Sequence, residues 1–310
     1  MPELRLLRPT EGPPERLFAR GLLKRCSFPT AGPLDCAVSG GADSLALLVL
    51  ATEAGLEPTA HHVDHGLRPF SQAEAGLVEA AARQLGAGFV SLRVELSPGP
   101  NLEARARAAR FAVLPPGVAT GHTADDQAET ILINLLRGAG AAGLGAMAPG
   151  RRHPLLGLRR SETESVCREA GLEWFSDPSN EEGGPLRNRI RHDLLPRLSA
   201  ATGRDLVPVL CRQASLLRDD EELLEELSRA VDPTVCRQLV TAPLPLARRA
   251  VRRLLREASG GEHPPSAAAV ERVLQVAGGG PLACDVGGGL AVRRKKGRLV
   301  LERPTLPSVR

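Results

Sequence analysis

Residues 34–50 read LDCAVSGGADSLALLVL, an apolar run that passes through Ser-Gly-Gly into a helix-like apolar face. Two adjacent glycines let successive backbone N–H groups curl around an anion. The helix that follows presents the positive end of its dipole at the same place, so the turn at Ser39, Gly40 and Gly41 reads as a phosphate cradle. It lacks the G-x-x-x-x-G-K-[ST] spacing of a P-loop, the G-x-G-x-x-G of a dinucleotide turn and the G-x-S-x-G of a nucleophile elbow. Asp43 sets a carboxylate beside the bound phosphates, where a hard oxygen ligand suits Mg²⁺. A Gly-Gly turn with Ser and Asp can also simply cap a helix.

Working outward, the chain alternates short apolar runs with helical patterns in the order expected of a parallel sheet covered by helices. DCAVS is the first strand and SLALLVLATEAG the first helix, ended by Gly55. TAHHV, GFVSLRVEL and GVATGH are the next three strands, and NLEARARAARFAVL is a helix with Asn101 as its cap. ADDQAETILINLLRG is a helix with acids at its start and Arg137 and Gly138 at its end. Beyond SDPSNEEGGP, a turn-rich linker, residues 187–277 are mostly helical patterns, and PLACDVGGGLAVRRKKGRLVLER reads as a small hairpin around Gly287 to Gly289. The expected plan is an α/β fold, a parallel sheet with helices on both faces, over residues 34–180. A helical extension, 1–33, precedes it, and a mostly helical domain, 187–310, follows.

With 310 residues, 42% hydrophobic and 25% charged, the chain is globular in composition. The six cysteines never approach a C-x-x-C spacing and no apolar signal core precedes them, so they read as reduced thiols of a cytoplasmic protein. No apolar run reaches the length of a membrane span. The net charge is +4, carried almost wholly by arginine, with lysine only at positions 24, 295 and 296. Aromatic residues make up 2%, too few for the stacking platforms of many single-strand RNA binders, so recognition of RNA would fall to arginine and shape.

The string Ser39-Gly40-Gly41-Ala42-Asp43-Ser44 resembles the PP-loop of the ATP pyrophosphatases, which split ATP between its α and β phosphates. HHVDHGLR at 61–68, NLEARARAARF at 101–111 and GHTADDQAET at 121–130 narrow the resemblance to the tRNA(Ile)-lysidine synthetase family. ILINLLRGAGAAGLGAM, DPSN at 177–180 and RNRIRHDLLP at 187–196 extend it. The resemblance implies ATP and Mg²⁺ as cofactors, and free L-lysine and tRNA(Ile) with a CAU anticodon as partners. In that reaction the wobble cytidine is first adenylated and lysine then displaces AMP. It implies Ser39 to Ser44, Asp64 and His65 at the nucleotide, and Asp43, Arg107, His122 and Asp126 in catalysis, with Asp43 holding Mg²⁺. It further implies Arg187, Asn188 and Arg191 at tRNA, and it sets Phe111 where the family more often has tyrosine.

The residues taken alone leave blander alternatives open. His61, His62, Asp64 and His65 form a zinc-like cluster by composition, yet an alternating strand cannot point them all at one metal. Asp125 and Asp126 suit any helix first turn, and Arg107 and Arg110, with Glu103 four before Arg107, suit any exposed salt-bridged helix. His122 fits a core position as well as a catalytic one. Arg187 and Arg191 share a helical face, and Arg293 to Arg298 fit a solvated basic tail as well as an RNA contact. Three activities remain distinct at this point: lysidine formation, sulfur transfer by a tRNA thiolase with this turn, and RNA binding without catalysis. Nothing in the sequence sets an oligomeric state.

Overall fold

The computed structural model describes residues 16–64, 71–94, 102–175, 186–260 and 265–303, with the side chains at 71, 72, 102–104, 106 and 107 excepted. Of the residues singled out above, His65, Asn101 and the DPSN string, with the side chains of Glu103 and Arg107, lie outside the described residues. The chain forms two compact units, residues 1–215 and 216–310. Among the described residues no helix is long and apolar enough to cross a membrane.

In the first unit the elements run α1 (Leu17–Leu22), β1 (Pro33–Ala37), α2 (Ala42–Glu53), β2 (Glu57–Asp64), α3 (Ser71–Leu85), β3 (Gly88–Arg93), α4 (Leu102–Val113), β4 (Ala119–Thr120), α5 (Ala124–Leu136), α6 (Ala141–Leu144) and α7 (Arg160–Glu169). Next come α8 (Leu186–Arg189), a widened π turn (Ile190–Leu194), α9 (Leu195–Thr202) and the start of α10 (Val207–Ser228). All pairings in the sheet are parallel, in the order β3-β2-β1-β4. The α/β reading therefore holds, although the fourth strand keeps only two residues of GVATGH.

The chain moves outward from β1 to β3 and then returns to the other side of β1, so the direction of winding reverses between β1 and β4. Open α/β sheets bind their ligands at such a switch point, outside the carboxyl ends of the strands. The helix α2 is buried on every side from Leu45 to Ala51, which explains its unbroken apolar sequence. It packs on the sheet and against α7.

Residues 186–215, expected to open the second domain, belong to the first unit. Ile190, Leu195 and Val207 bury themselves with Ala124, Ala128 and Leu132 of α5. The π turn lies just before Pro196, which has no N–H for the carbonyl of His192 and whose ring would crowd it, so the helix opens by a residue there.

The second unit contains α11 (Cys236–Thr241), α12 (Leu244–Ala258), α13 (Ala267–Ala277) and the strands β5 (Ala283–Gly287), β6 (Leu290–Lys295) and β7 (Arg298–Glu302). Its core gathers Val251, Leu255, Val270, Val273, Val292 and Leu299. The expected hairpin is a three-stranded antiparallel sheet, β5-β6-β7. The extra reversal sits at Lys296-Gly297, both at positive φ, the geometry of a tight two-residue hairpin turn. Lysine rarely adopts that conformation, so RRKKGRLVLER reads as one continuous run.

Candidate active site at the switch point

The phosphate turn is held from within. Gly40 stands at φ +90°, open to glycine at no steric cost. The Ser44 hydroxyl donates to the Gly41 carbonyl at 2.8 Å and accepts from the Ser39 N–H at 3.2 Å, so the two serines tie the turn to the first turn of α2. Phe175 N–H donates to the Gly40 carbonyl at 3.0 Å. The path leaving β4 comes close beside it: a Cβ on Gly121 would stand 2.5 Å from the Asp43 carbonyl oxygen, which only glycine allows. This close approach brings the GHTADD segment against the phosphate turn, as the two strand ends imply.

Facing the turn is a charged cluster built on one half-buried guanidinium. Arg160, at the start of α7, donates from Nε to Asp43 Oδ2 at 3.3 Å and from Nη2 to Asp126 Oδ1 at 3.0 Å, and its Nη2 lies 3.6 Å from Glu129 Oε1. The Thr163 hydroxyl, one turn along α7, hydrogen-bonds Asp43 Oδ1. Asp126 Oδ2 accepts the N–H and the hydroxyl of Thr123 at 2.9 and 3.0 Å, so one oxygen caps α5 while the other faces the site. Glu129, with 1% of its side chain exposed, receives Arg191 through both oxygens at 2.7 and 3.1 Å, and Arg187 Nε lies 3.6 Å away. Three guanidinium and three carboxylate groups from α2, α5, α7 and α8 with its π turn thus converge on the switch point.

These surroundings pull the two aspartates apart. Burial raises the Asp43 carboxyl to about 6; the Thr163 hydroxyl and Arg160 oppose that without cancelling it, and the Asp126 charge adds to it. Burial acts on Asp126 in the same direction but is outweighed by Arg160, the Thr123 N–H and His122, so Asp126 is held below its ordinary value. Asp126 is therefore the stable anion, and Asp43 is the carboxylate that gains most from a cation. Its Oδ2 already faces one. One carboxylate completed by water and phosphate oxygens is a shell that Mg²⁺ commonly takes, so the donor chemistry at Asp43 fits that ion.

The structure brings together Ser39, Gly40, Gly41, Ala42, Asp43, Ser44, His122 and Asp126 at the ends of β1 and β4. Asp64 closes β2 at the same edge of the sheet, and Arg107 lies on α4. Arg187 and Arg191 do share a face, but their guanidinium groups are turned onto Glu129 and Thr130 inside the unit, with Asn188 between them in sequence. His61 Nε2 lies 2.8 Å from Asp35, while His62 Nδ1 donates to the Val38 carbonyl at 3.0 Å, so the two neighbouring imidazoles serve different partners. The adjacent acids also part: Asp125 accepts Arg159 at 3.0 and 3.1 Å and the Arg160 N–H at 2.8 Å, fixing the start of α7.

Arg160, Thr163 and Glu129 are the residues that pattern reading passes over. A signal existed for the first. Arg159 and Arg160 stand at the positive end of a helix, where cations are disfavoured, and such a placement calls for nearby anions. Glu129 lies three residues beyond Asp126 on α5, hence on the same face.

A profile described as a PP-loop domain matches residues 18–198, more than half of the chain, and one described as the TilS substrate binding domain matches residues 236–300. A tRNA(Ile)-lysidine synthase from Nocardia farcinica is 40% identical over 300 residues, covering 89% of this chain and 94% of that protein. The chain belongs to the tRNA(Ile)-lysidine synthase family. The Azoarcus relative is 37% identical over 91% of this chain and 68% of its own length, and the Symbiobacterium thermophilum relative is 39% identical over 78% and 59%. The two profiles fall wholly one in each compact unit, and the charged cluster at the switch point lies in the part that matches the PP-loop domain.

The same family string explains the loop after α5. Gln127 donates to the Met147 carbonyl at 2.9 Å and accepts the Met147 N–H at 3.0 Å, while Asn134 donates to the Gly143 carbonyl at 2.7 Å. Two amides on α5 therefore hold the glycine-rich segment in place.

Proposed function

We propose that this chain joins free L-lysine to C2 of the wobble cytidine in CAU-anticodon tRNA(Ile), consuming ATP and releasing AMP and pyrophosphate. The observation that carries this reading is the pairing, at one switch point, of an S-G-G-A-D-S turn with an Asp126 that stays ionised. The first can hold a triphosphate, and the second can hold an amine.

The cytosine C2 oxygen is a poor leaving group, so it must first attack the α-phosphorus, forming a C–O–P ester as the bond to pyrophosphate breaks. The N–H groups of the phosphate turn and the start of α2 face the charge that develops on pyrophosphate. A Mg²⁺ ion would be held by Asp43 and would supply further neutralisation there. The lysine ε-amine then bonds to C2, and AMP departs with the bridging oxygen. That amine is protonated at neutral pH, with an ordinary value near 10.4. Asp126 attracts the ammonium, and His122 is the group beside it able to take the proton. Arg160, drawn to Asp43, Asp126 and Glu129 together, fixes their spacing. Arg187, Asn188 and Arg191 remain the residues we assign to the tRNA side of the site, with Arg107 on α4 assigned to the activated phosphate.

Sulfur transfer fits less well. Burial pushes the Cys36 and Cys167 thiols up to about 12, far from the thiolate that such chemistry needs. Incubation with ATP, Mg²⁺, labelled lysine and CAU-anticodon tRNA tests the reading. Label joined to the RNA with stoichiometric pyrophosphate is the expected result, and its absence with folded protein overturns the proposal.

A further inference from the structure

The Thr120 hydroxyl, at the end of β4, is the meeting point of three polar groups. Its oxygen lies 2.6 Å from His122 Nδ1, 2.9 Å from His153 Nδ1 and 3.1 Å from the Arg152 carbonyl oxygen. The two imidazoles meet edge to face with centroids 5.2 Å apart. Thr120 is buried, and its backbone N–H also donates to the Arg152 carbonyl at 2.9 Å, which fixes the strand end against the 150–153 turn.

Proton counting decides how these contacts are shared. A hydroxyl has one proton and two lone pairs, and a carbonyl only accepts. If Thr120 gives its proton to the Arg152 carbonyl, both imidazoles must donate from Nδ1, and all three contacts are satisfied. If Thr120 donates to either imidazole instead, two oxygens face each other at 3.1 Å with no proton between them. The Arg152 carbonyl keeps the Thr120 N–H in either case, but the hydroxyl then gives up one of its three hydrogen bonds. The first arrangement is the one in which all three contacts of the hydroxyl are hydrogen bonds.

We propose that Thr120 and His153 are positioning residues that hold His122 in its Nδ1–H tautomer. His122 Nε2 then carries the lone pair and is the atom that accepts a proton. Uptake of a proton at Nε2 gives an imidazolium that keeps all three contacts, so the transfer needs no rearrangement of the hydroxyl. His153 supplies the second donor that steers the hydroxyl proton to the carbonyl. The inference rests on the reading of His122 as the proton acceptor in the lysine step, and it adds which nitrogen acts and what fixes it.

The test uses the full-length chain labelled at its imidazole nitrogens, with two-bond proton–nitrogen correlation at about pH 8.5, above the ordinary imidazole range. His122 is assigned by the signals that vanish in His122→Asn. The expected result is Nδ1–H in the parent protein and a shift toward Nε2–H in Thr120→Val. An Nε2–H His122 in the parent, or an unchanged tautomer in Thr120→Val, overturns the proposal. Single-turnover transfer of lysine to adenylated tRNA supplies the kinetic arm. Thr120→Val is expected to slow it by about tenfold, the size of one neutral hydrogen bond. Thr120→Ser restores the rate, and pyrophosphate release in the first step stays unchanged. Equal loss of both steps without rescue by serine also overturns it. A parent protein that makes no lysidine removes the functional reading alone, because the tautomer is read without turnover.

Discussion

Asp43→Asn is expected to make the first unit more stable at neutral pH while ending pyrophosphate release. The Asp43 carboxyl stands at about 6 in the folded chain against 3.8 when unfolded, with burial as the main cause. Between these values the folded state binds more protons than the unfolded one, so stability falls as pH rises through the window. At about 1.36 kcal/mol per pH unit the full effect is ~3 kcal/mol. A quarter of the side chain is exposed, and solvent screening reduces the expectation to ~1–3 kcal/mol. Asparagine has the shape of the carboxyl without its charge, so it escapes that penalty. The assay is urea unfolding in EDTA followed by Trp174, the chain's one tryptophan, which packs against the core of the first unit. The two proteins should match near about pH 4 and separate above about pH 6, with the variant the more stable. The contribution of Asp126 has the opposite sign, being lost as pH falls. A difference that does not change with pH, or a variant less stable at about pH 7.5, refutes the reasoning.

Glu129→Gln leaves Arg187 and Arg191 facing a neutral amide in a buried place, and a loss of ~3 kcal/mol in unfolding free energy is expected from equilibrium denaturation. Gly121→Ala sets a Cβ against the Asp43 carbonyl, so α2 must shift; ATP binding by calorimetry should weaken by at least about tenfold, the equivalent of ~1.4 kcal/mol, while the second unit keeps its own melting transition. Burial pushes the thiols of Cys26, Cys36 and Cys167 up to about 12, so all three should resist a thiol-specific reagent at about pH 8 and react once urea unfolds the chain.

Much of this arrangement is legible in local pattern. The alternation of strand and helix places four parallel strands, and the S-G-G-A-D-S string fixes its own turn through Gly40 and the two serines. Asp126 is readable as a helix-start acid, and Arg137 with Gly138 marks the end of α5, where Gly138 stands at φ +74°. The resemblance of four separated strings carries the family. Other features escape pattern. β4 is cut to two residues because only Cys36 and Ala37 of β1 pair with it. The reversal at Lys296 depends on a residue with little preference for it.

By itself the sequence determined the alternation of strand and helix and the phosphate turn, because helix caps, glycine turns and apolar periods act over a few residues. The tertiary structure alone decided which charges meet. Arg160 reaches Asp43 across 117 positions, and Arg191 reaches Glu129 across 62. Those encounters depend on how α7 lies on α2 and how the helix after residue 186 lies on α5, and packing of that kind leaves no period to read. The same packing buries one aspartate until it resists ionisation and surrounds another with donors that hold its carboxyl below the ordinary value.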